Sequence, residues 1–175
     1  MGMVQLRQKK ISSMSSFSNR IVNWYKSSGR HDLPWRKNIS PYSIWISEIM
    51  LQQTQVKTVV PYFNKFIEKY PNLDALLKAS EDEILAQWSG LGFYRRAKNI
   101  YKACRVISED FNNKLPSNIN DLKSLPGIGR STAGAIMSIA FNEGHPILDA
   151  NVKRVLGRYK KISFKTENEK QKKLW

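Results

Sequence analysis

Apolar residues recur along the chain at helical spacing and almost nowhere at the alternation of a strand. Val152, Val155, Leu156 and Tyr159 stand at i, i+3, i+4 and i+7, the stripe of a helix packed on one side. Asp149 precedes that run, in the N-cap position. Phe17, Ile21, Val22, Trp24 and Tyr25 predict a first helix. HDLPWRKNISPY reads as a loop, with Ser40 capping and Pro41 opening the next helix. On that helix Tyr42, Trp45, Ile46, Ile49 and Met50 form a core face, while Glu48, Leu51, Gln52 and Gln55 point elsewhere. Further helices are predicted from Thr58 to Tyr70, Leu73 to Lys78, Glu81 to Trp88, Tyr94 to Phe111, Asn118 to Ser124 and Arg130 to Ala140. Ser80 and Glu83 make a capping-box pattern. The tail TENEKQKKLW reads as the opening of another helix that stops at an apolar pair, Leu174 and Trp175. Short loops and missing strand patterns predict an all-α fold, a compact helical bundle.

Composition narrows the class. A chain of 175 residues with 41% hydrophobic residues and five tryptophans can bury a core. Its 29 Lys and Arg against 14 Asp and Glu give a formal charge of +15, a field that attracts polyanions. Nucleic acid is the first partner implied and a membrane surface the second. No apolar run reaches the length of a membrane span. One cysteine, Cys104, excludes an intrachain disulfide and any metal or iron–sulfur site built from several cysteines of this chain. It also suits a reducing, intracellular compartment. Residues 1–16 form a basic, serine-rich terminus, read as flexible rather than as a transit peptide.

Two features carry candidate chemistry. In SLPGIGRSTAGAI, Gly127 and Gly129 can take positive φ and bring backbone N–H groups close to a ligand. The following helix offers its N-terminal donors, so the hairpin can hold a phosphate. A glycine-punctuated turn between helices has the same spelling. The second feature is a pair of carboxylates. Asp149 caps a helix, and that end should keep its carboxylate ionised, ready to meet a positive sugar-like transition state. Glu48 lies among Leu51, Gln52 and Gln53. These suit either a solvated face or a surface whose amides meet base edges and whose Leu wedges between bases. Arg95, Arg96 and Lys98 follow the GLGF turn, as a solvated basic face or as phosphate contacts. Lys153, Arg154 and Arg158 are weaker candidates of the same kind. His31 and His145 read as loop residues.

LPWR, SEIMLQQTQV, GLGFYRRAKNI, LPGIGRSTAGAI and ILDANVKRV occur in that order. Together they resemble the MutY-type adenine DNA glycosylases of the endonuclease III, helix-hairpin-helix superfamily, over roughly Phe17 to Trp175. The resemblance implies the helical fold of those enzymes. A barrel domain would cover 31–146, with the hairpin at 119–140. Segments 17–30 and 147–175 would belong to an incomplete second helical domain. It implies hydrolysis of the N-glycosidic bond of adenine mispaired with 8-oxoguanine or guanine in double-stranded DNA, after the base leaves the stack. Glu48 would be the general acid, Asp149 would stabilise the oxocarbenium-like sugar, and Asn151 would orient Asp149. Trp35 and Arg36 match the adenine pocket. Leu51, Gln52 and Phe93 match the intercalation site, Phe93 replacing a usual tyrosine. Ala150 replaces a common glycine. Gly127, Gly129, Arg130, Ser131, Arg95, Arg96 and Lys98 would meet the DNA backbone.

Bifunctional relatives carry a lysine where this chain has Ser131. A hydroxyl forms no imine, which implies a monofunctional enzyme. The family's 4Fe–4S cluster would need cysteines beyond Trp175, so no cofactor or metal is expected on this chain. The resemblance further implies a monomer inside the cell, in a bacterial cytoplasm or nucleoid first and a mitochondrion or nucleus as the alternatives, in a chain cut before the cluster region. A catalytically inactive DNA-binding remnant and a mismatch-thymine glycosylase are the alternatives.

Overall fold

The computed structural model describes residues 17–162, whose regular elements are all helices, with no strand among them. The helices are α1 (17–28), α2 (Pro34–Lys37), α3 (Pro41–Leu51), α4 (Val56–Lys69), α5 (Leu73–Leu77), α6 (Glu81–Trp88), α7 (Arg95–Asp110), α8 (Ile119–Ser124), α9 (Arg130–Ala140) and α10 (Ala150–Tyr159). Local signals place most boundaries. Ser40 accepts from Ser43 N at 3.0 Å. Ser80 and Glu83 close the full capping box. Asn118 caps α8 through the N–H groups of Asn120 and Asp121. The single turn α2, opened by Pro34, interrupts the segment expected to be a loop. The expectations for the 1–16 terminus and the TENEKQKKLW tail lie outside the described residues.

The core is organised around α3, which packs against α9 and α4. The pattern predicted one buried face; instead Tyr42 to Ser47, Ile49 and Met50 are all buried. Ser43 and Ser47 lie on the expected outer side. Each hides its hydroxyl by donating to a carbonyl, of Asn38 and Ile44 respectively. Such a helix is central, and burial on all sides fixes its rotation and depth. Phe63, Phe66, Trp88, Ile100, Ile107, Leu122 and Ile136 complete the surrounding layer.

The two ends of the described chain behave differently. The stripe predicted to pack α10 on one side is only partly covered: no residue of α10 is fully buried, Val152 and Leu156 are half-buried, and Val155 and Tyr159 are each 46% exposed. In α1, Ile21, Val22, Trp24 and Tyr25 are also exposed. Phe17 and Tyr159 stack with ring centroids 4.0 Å apart.

Candidate active site

The C-terminal half of α3, the N-terminus of α9 and the N-terminus of α10 enclose an open cleft of about 980 Å³. Arg30, Glu48, Leu51, Gln52, Gln53, Thr54, Gln55, Val56, Lys57, Ser131, Thr132, Ile147, Asp149, Ala150 and Asn151 line it. Residues some hundred positions apart in sequence, Glu48 and Asp149, thus share one solvent-reachable space. Glu48 is partly buried, and burial pushes its carboxyl up to about 7. The positive charge of Arg36 works against that rise and the negative charge of Asp149 adds to it. Near neutral pH such a group holds or yields a proton readily, as a general acid must.

Asp149 is exposed, and its carboxylate accepts from Val152 N at 2.7 Å. Its place is set by the loop before it. Leu148 is buried, and its N–H donates to Ser131 Oγ at 3.2 Å. Ser138 Oγ accepts from His145 N and donates to His145 O, stitching the loop to α9. At Gly134 an added Cβ would stand 2.7 Å from Pro146 O, so only glycine allows the loop to lie this close. Ser131, expected to meet DNA phosphate, uses its hydroxyl here to brace the loop that presents Asp149. Asn151 lines the cleft, but its Oδ1 accepts from Arg154 at 2.7 Å. The Asp149 carboxylate is held by the backbone of Val152, and the Asn151 amide oxygen by Arg154.

The hairpin lies alongside. Gly127 has φ +83° and approaches Asn99 so closely that an added Cβ would be 2.9 Å away. Gly129, expected to share that freedom, has an ordinary φ of −85° as the N-cap of α9. Nothing stands within 4 Å in front of it, which leaves its side of the turn open to a ligand. Leu125 and Ile128 anchor the turn in the core, while Gly129 and Arg130 are exposed. Gln52 joins hairpin to cleft: its Nε2 donates to Gly127 O at 3.2 Å and Thr132 Oγ1 at 3.4 Å. That amide is therefore partly engaged by protein.

Three expected site residues stand elsewhere. Trp35 is 3% exposed, set edge-on against Phe63, and is not among the cleft-lining residues. Arg36 acts on the cleft through its charge on Glu48. Arg96, expected on a phosphate-binding surface, is 6% exposed and points into the protein. It donates to the carbonyls of Ile49, Met50, Gln52, Gly92 and Phe93. The α7 period carries a signal for this: Arg96 shares the face of Ile100, Ala103 and Ile107, although its acceptors at the end of α3 are not visible in the run RRAK. Arg95 and Lys98 are exposed as expected, Lys98 lying 3.7 Å from Glu81. Phe93 is 55% exposed at the tip of its turn.

A four-thiolate cluster does not fit these residues. Cys104 is the one cysteine, buried in α7 with its thiol pushed up to about 12. No group of three or more His, Cys, Asp or Glu among the described residues is arranged to hold a metal ion. No described helix is long and apolar enough to cross a membrane.

Residues 46–175 match the family described as HhH-GPD superfamily base excision DNA repair protein. The chain is 53% identical over 160 residues to an adenine DNA glycosylase of Buchnera aphidicola from Schizaphis graminum, covering 91% of this chain and 46% of that protein. It is 40% identical over 161 residues to the adenine DNA glycosylase of Rattus norvegicus, covering 87% of this chain and 31% of that one. The chain thus spans about half the length of the bacterial relative and a third of the rat one. Among solved structures, a thermostable thymine-DNA glycosylase superposes with a TM-score of 0.79 at 28% identity, covering 93% of this chain and 77% of that one. An endonuclease III–DNA complex superposes at 0.76 and 22% identity, covering 89% and 72%, a likeness of fold.

Proposed function

Since this chain belongs to the HhH-GPD superfamily of base excision DNA repair proteins, we propose that it is a monofunctional DNA glycosylase releasing adenine mispaired with 8-oxoguanine or guanine. The observation that carries the reading is Glu48, with its carboxyl raised to about 7, in one open cleft with the capped carboxylate of Asp149. Identity to adenine DNA glycosylases, at 53%, supports adenine over the thymine of the 28% identical structural neighbour.

The chemistry follows from the two environments. Extruded adenine enters the cleft, and Glu48 gives its proton to a ring nitrogen. The C1′–N9 bond breaks and its electron pair leaves with the base. The sugar becomes oxocarbenium-like, and the negative Asp149 stabilises it until water adds at C1′. Water's proton passes to a carboxylate, and the products are free adenine and an abasic site. Ser131 offers no amine for a Schiff base, so strand cleavage is not part of the cycle. The hairpin, Arg95 and the net charge of +15 would hold the phosphates, with affinity falling as salt rises.

The test is single-turnover release of adenine from a duplex holding one A:8-oxoguanine pair, with chain in excess and Asp149→Asn alongside. Release abolished by the substitution is the expected result. A folded, DNA-binding chain that releases nothing would overturn the reading and leave a binding remnant. Release of thymine from T:G in preference to adenine would reassign the substrate.

A further inference from the structure

Arg96 is a buried guanidinium whose hydrogen bonds all run to backbone carbonyls. Nη1 takes Ile49 O at 3.2 Å, Met50 O, and Gln52 O at 2.7 Å. Nη2 takes Gly92 O at 3.0 Å and Nε takes Phe93 O at 3.4 Å. Ile49, Met50 and Gln52 carry the outward carbonyls at the C-terminus of α3, which has partial negative charge. The rings of Trp88 and Phe93 sit 5.4 and 5.3 Å from the guanidinium carbon. One side chain thus replaces its lost hydration with a helix end, a turn and two aromatic faces.

The two segments it grips share a second property. Gln53 has φ +58° and Phe93 has φ +51°, a left-handed backbone that L side chains adopt rarely and that persists only where surroundings impose it. Gln53 follows directly on Gln52, whose carbonyl Arg96 holds. Phe93 is itself held through its carbonyl. One turn presents Leu51 to Gln53 to the cleft; the other presents the exposed Phe93 ring.

We propose that Arg96 is a positioning residue that clasps these two strained turns at one spacing, so that both enter the duplex together as the target base leaves the stack. It acts on extrusion of the base and not on breaking the glycosidic bond. Its guanidinium fork serves both segments at once; an ammonium has one centre and no plane to lie between two rings. The inference rests on the glycosylase reading for its substrate, and on the two turns for its geometry.

The test compares wild type with Arg96→Lys on two duplexes, one with adenine opposite 8-oxoguanine and one with adenine opposite an abasic site, where extrusion is cheap. The paired substrate is expected to slow at least ten-fold and the unpaired one less than about three-fold, a contrast set by what extrusion demands. The midpoint of the pH profile should stay where Glu48 sets it. Equal slowing on both duplexes would make Arg96 a general prop and overturn the proposal. Should Arg96→Lys not fold, Phe93→Ala, which removes an exposed ring, is expected to give the same contrast. Equal slowing there would overturn the proposal as well. 2-Aminopurine in place of adenine reports extrusion without bond cleavage. A fluorescence rise on binding that Arg96→Lys loses supports the clasp even if no adenine is released, the outcome in which the glycosylase reading alone fails. A rise unchanged by the substitution overturns the clasp.

Discussion

Glu48 stands on a helix enclosed on nearly every side, whereas Asp149 opens a helix that buries none of its own residues. Ile44, Trp45, Ile46 and Met50 around Glu48 are fully buried, and Arg96 grips the turn that follows. Around Asp149 the support comes from upstream: Leu148 in the core, Ser131 under its N–H, and Pro146 against Gly134. The two carboxylates of one site are thus held by different means, one by its element and the other by the loop leading to it. The difference suits the tasks proposed for them. A general acid needs the desolvation that only a core helix supplies, and a carboxylate meeting positive charge needs a helix end and access.

Glu48→Gln breaks the comparison hardest. It removes the proton donor and keeps the shape, so adenine release should fall by about 10²- to 10⁴-fold while DNA binding holds and the thermal midpoint does not fall, staying level below pH about 4.5, where both side chains are neutral, and rising above wild type toward pH 7. Single-turnover kinetics beside a melt would check both. Next in size is the contrast between the supporting helices. Ile46→Ala empties part of the α3 packing and should cost about 2–5 kcal/mol. Val155→Ala trims a half-exposed side chain of α10 and should stay within about 0.5 kcal/mol. Urea unfolding of the two variants measures the pair. Equal costs would mean that α10 is as enclosed as α3.

A pH titration of stability separates the carboxylates again. Glu48 titrates at about 7 in the fold against 4.5 for an unperturbed carboxyl. Between those values the native state holds a proton that the unfolded chain has lost. Its contribution is complete below about 4.5 and disappears as pH rises through about 7, amounting to about 3 kcal/mol at most. Wild type should therefore lose stability over that window relative to Glu48→Gln, whose side chain does not titrate. Adenine release should fall above about 7 as the acid form is lost. Parallel stability curves for the two proteins would contradict the burial of Glu48.

What the sequence made legible was local. Caps at Ser40, Ser80 and Asp149 bind N–H groups three residues on, so their spelling is their geometry. The carboxylate pair was legible through ordered motifs. What escaped was decided at long range. Arg96 and Arg95 are the same letter; the period of Ile100, Ala103 and Ile107 marks Arg96 as the inward one, but its acceptors at the end of α3 lie more than forty positions away and could not be read. The bond that Ser131 accepts from Leu148 N–H escaped as well, because its donor lies beyond the far end of the helix that Ser131 opens. The α3 pattern read as two-faced because Ser43 and Ser47 are polar by type, though their hydroxyls are spent on backbone carbonyls. In α10 the apolar period was correct as a helix signal and uninformative about cover.

The smallest effect sharpens the comparison most, because it reaches Asp149 without touching it. Ser131→Ala deletes the acceptor of the Leu148 N–H at 3.2 Å and leaves a partly buried donor unmatched. That costs roughly 1–3 kcal/mol, with water entering from the cleft recovering some of it. The loop end then has one restraint fewer, and Asp149 samples positions away from the sugar. Adenine release should slow by a few-fold to about ten-fold, the order of one lost hydrogen bond, while salt-dependent DNA affinity stays level. A hydroxyl serving a phosphate would give the reverse: weaker binding, a shallower salt dependence and an unchanged rate at saturation. Measuring rate and affinity on the same variant therefore decides whether Ser131 belongs to the hairpin's grip on DNA or to the placement of the exposed carboxylate. A matching variant at the other end of the cleft, Gln52→Ala, loosens α3 from Gly127. It should cost less in stability, because the enclosed helix keeps its remaining restraints, while its rate also reads the part of the Gln52 turn in extruding the base.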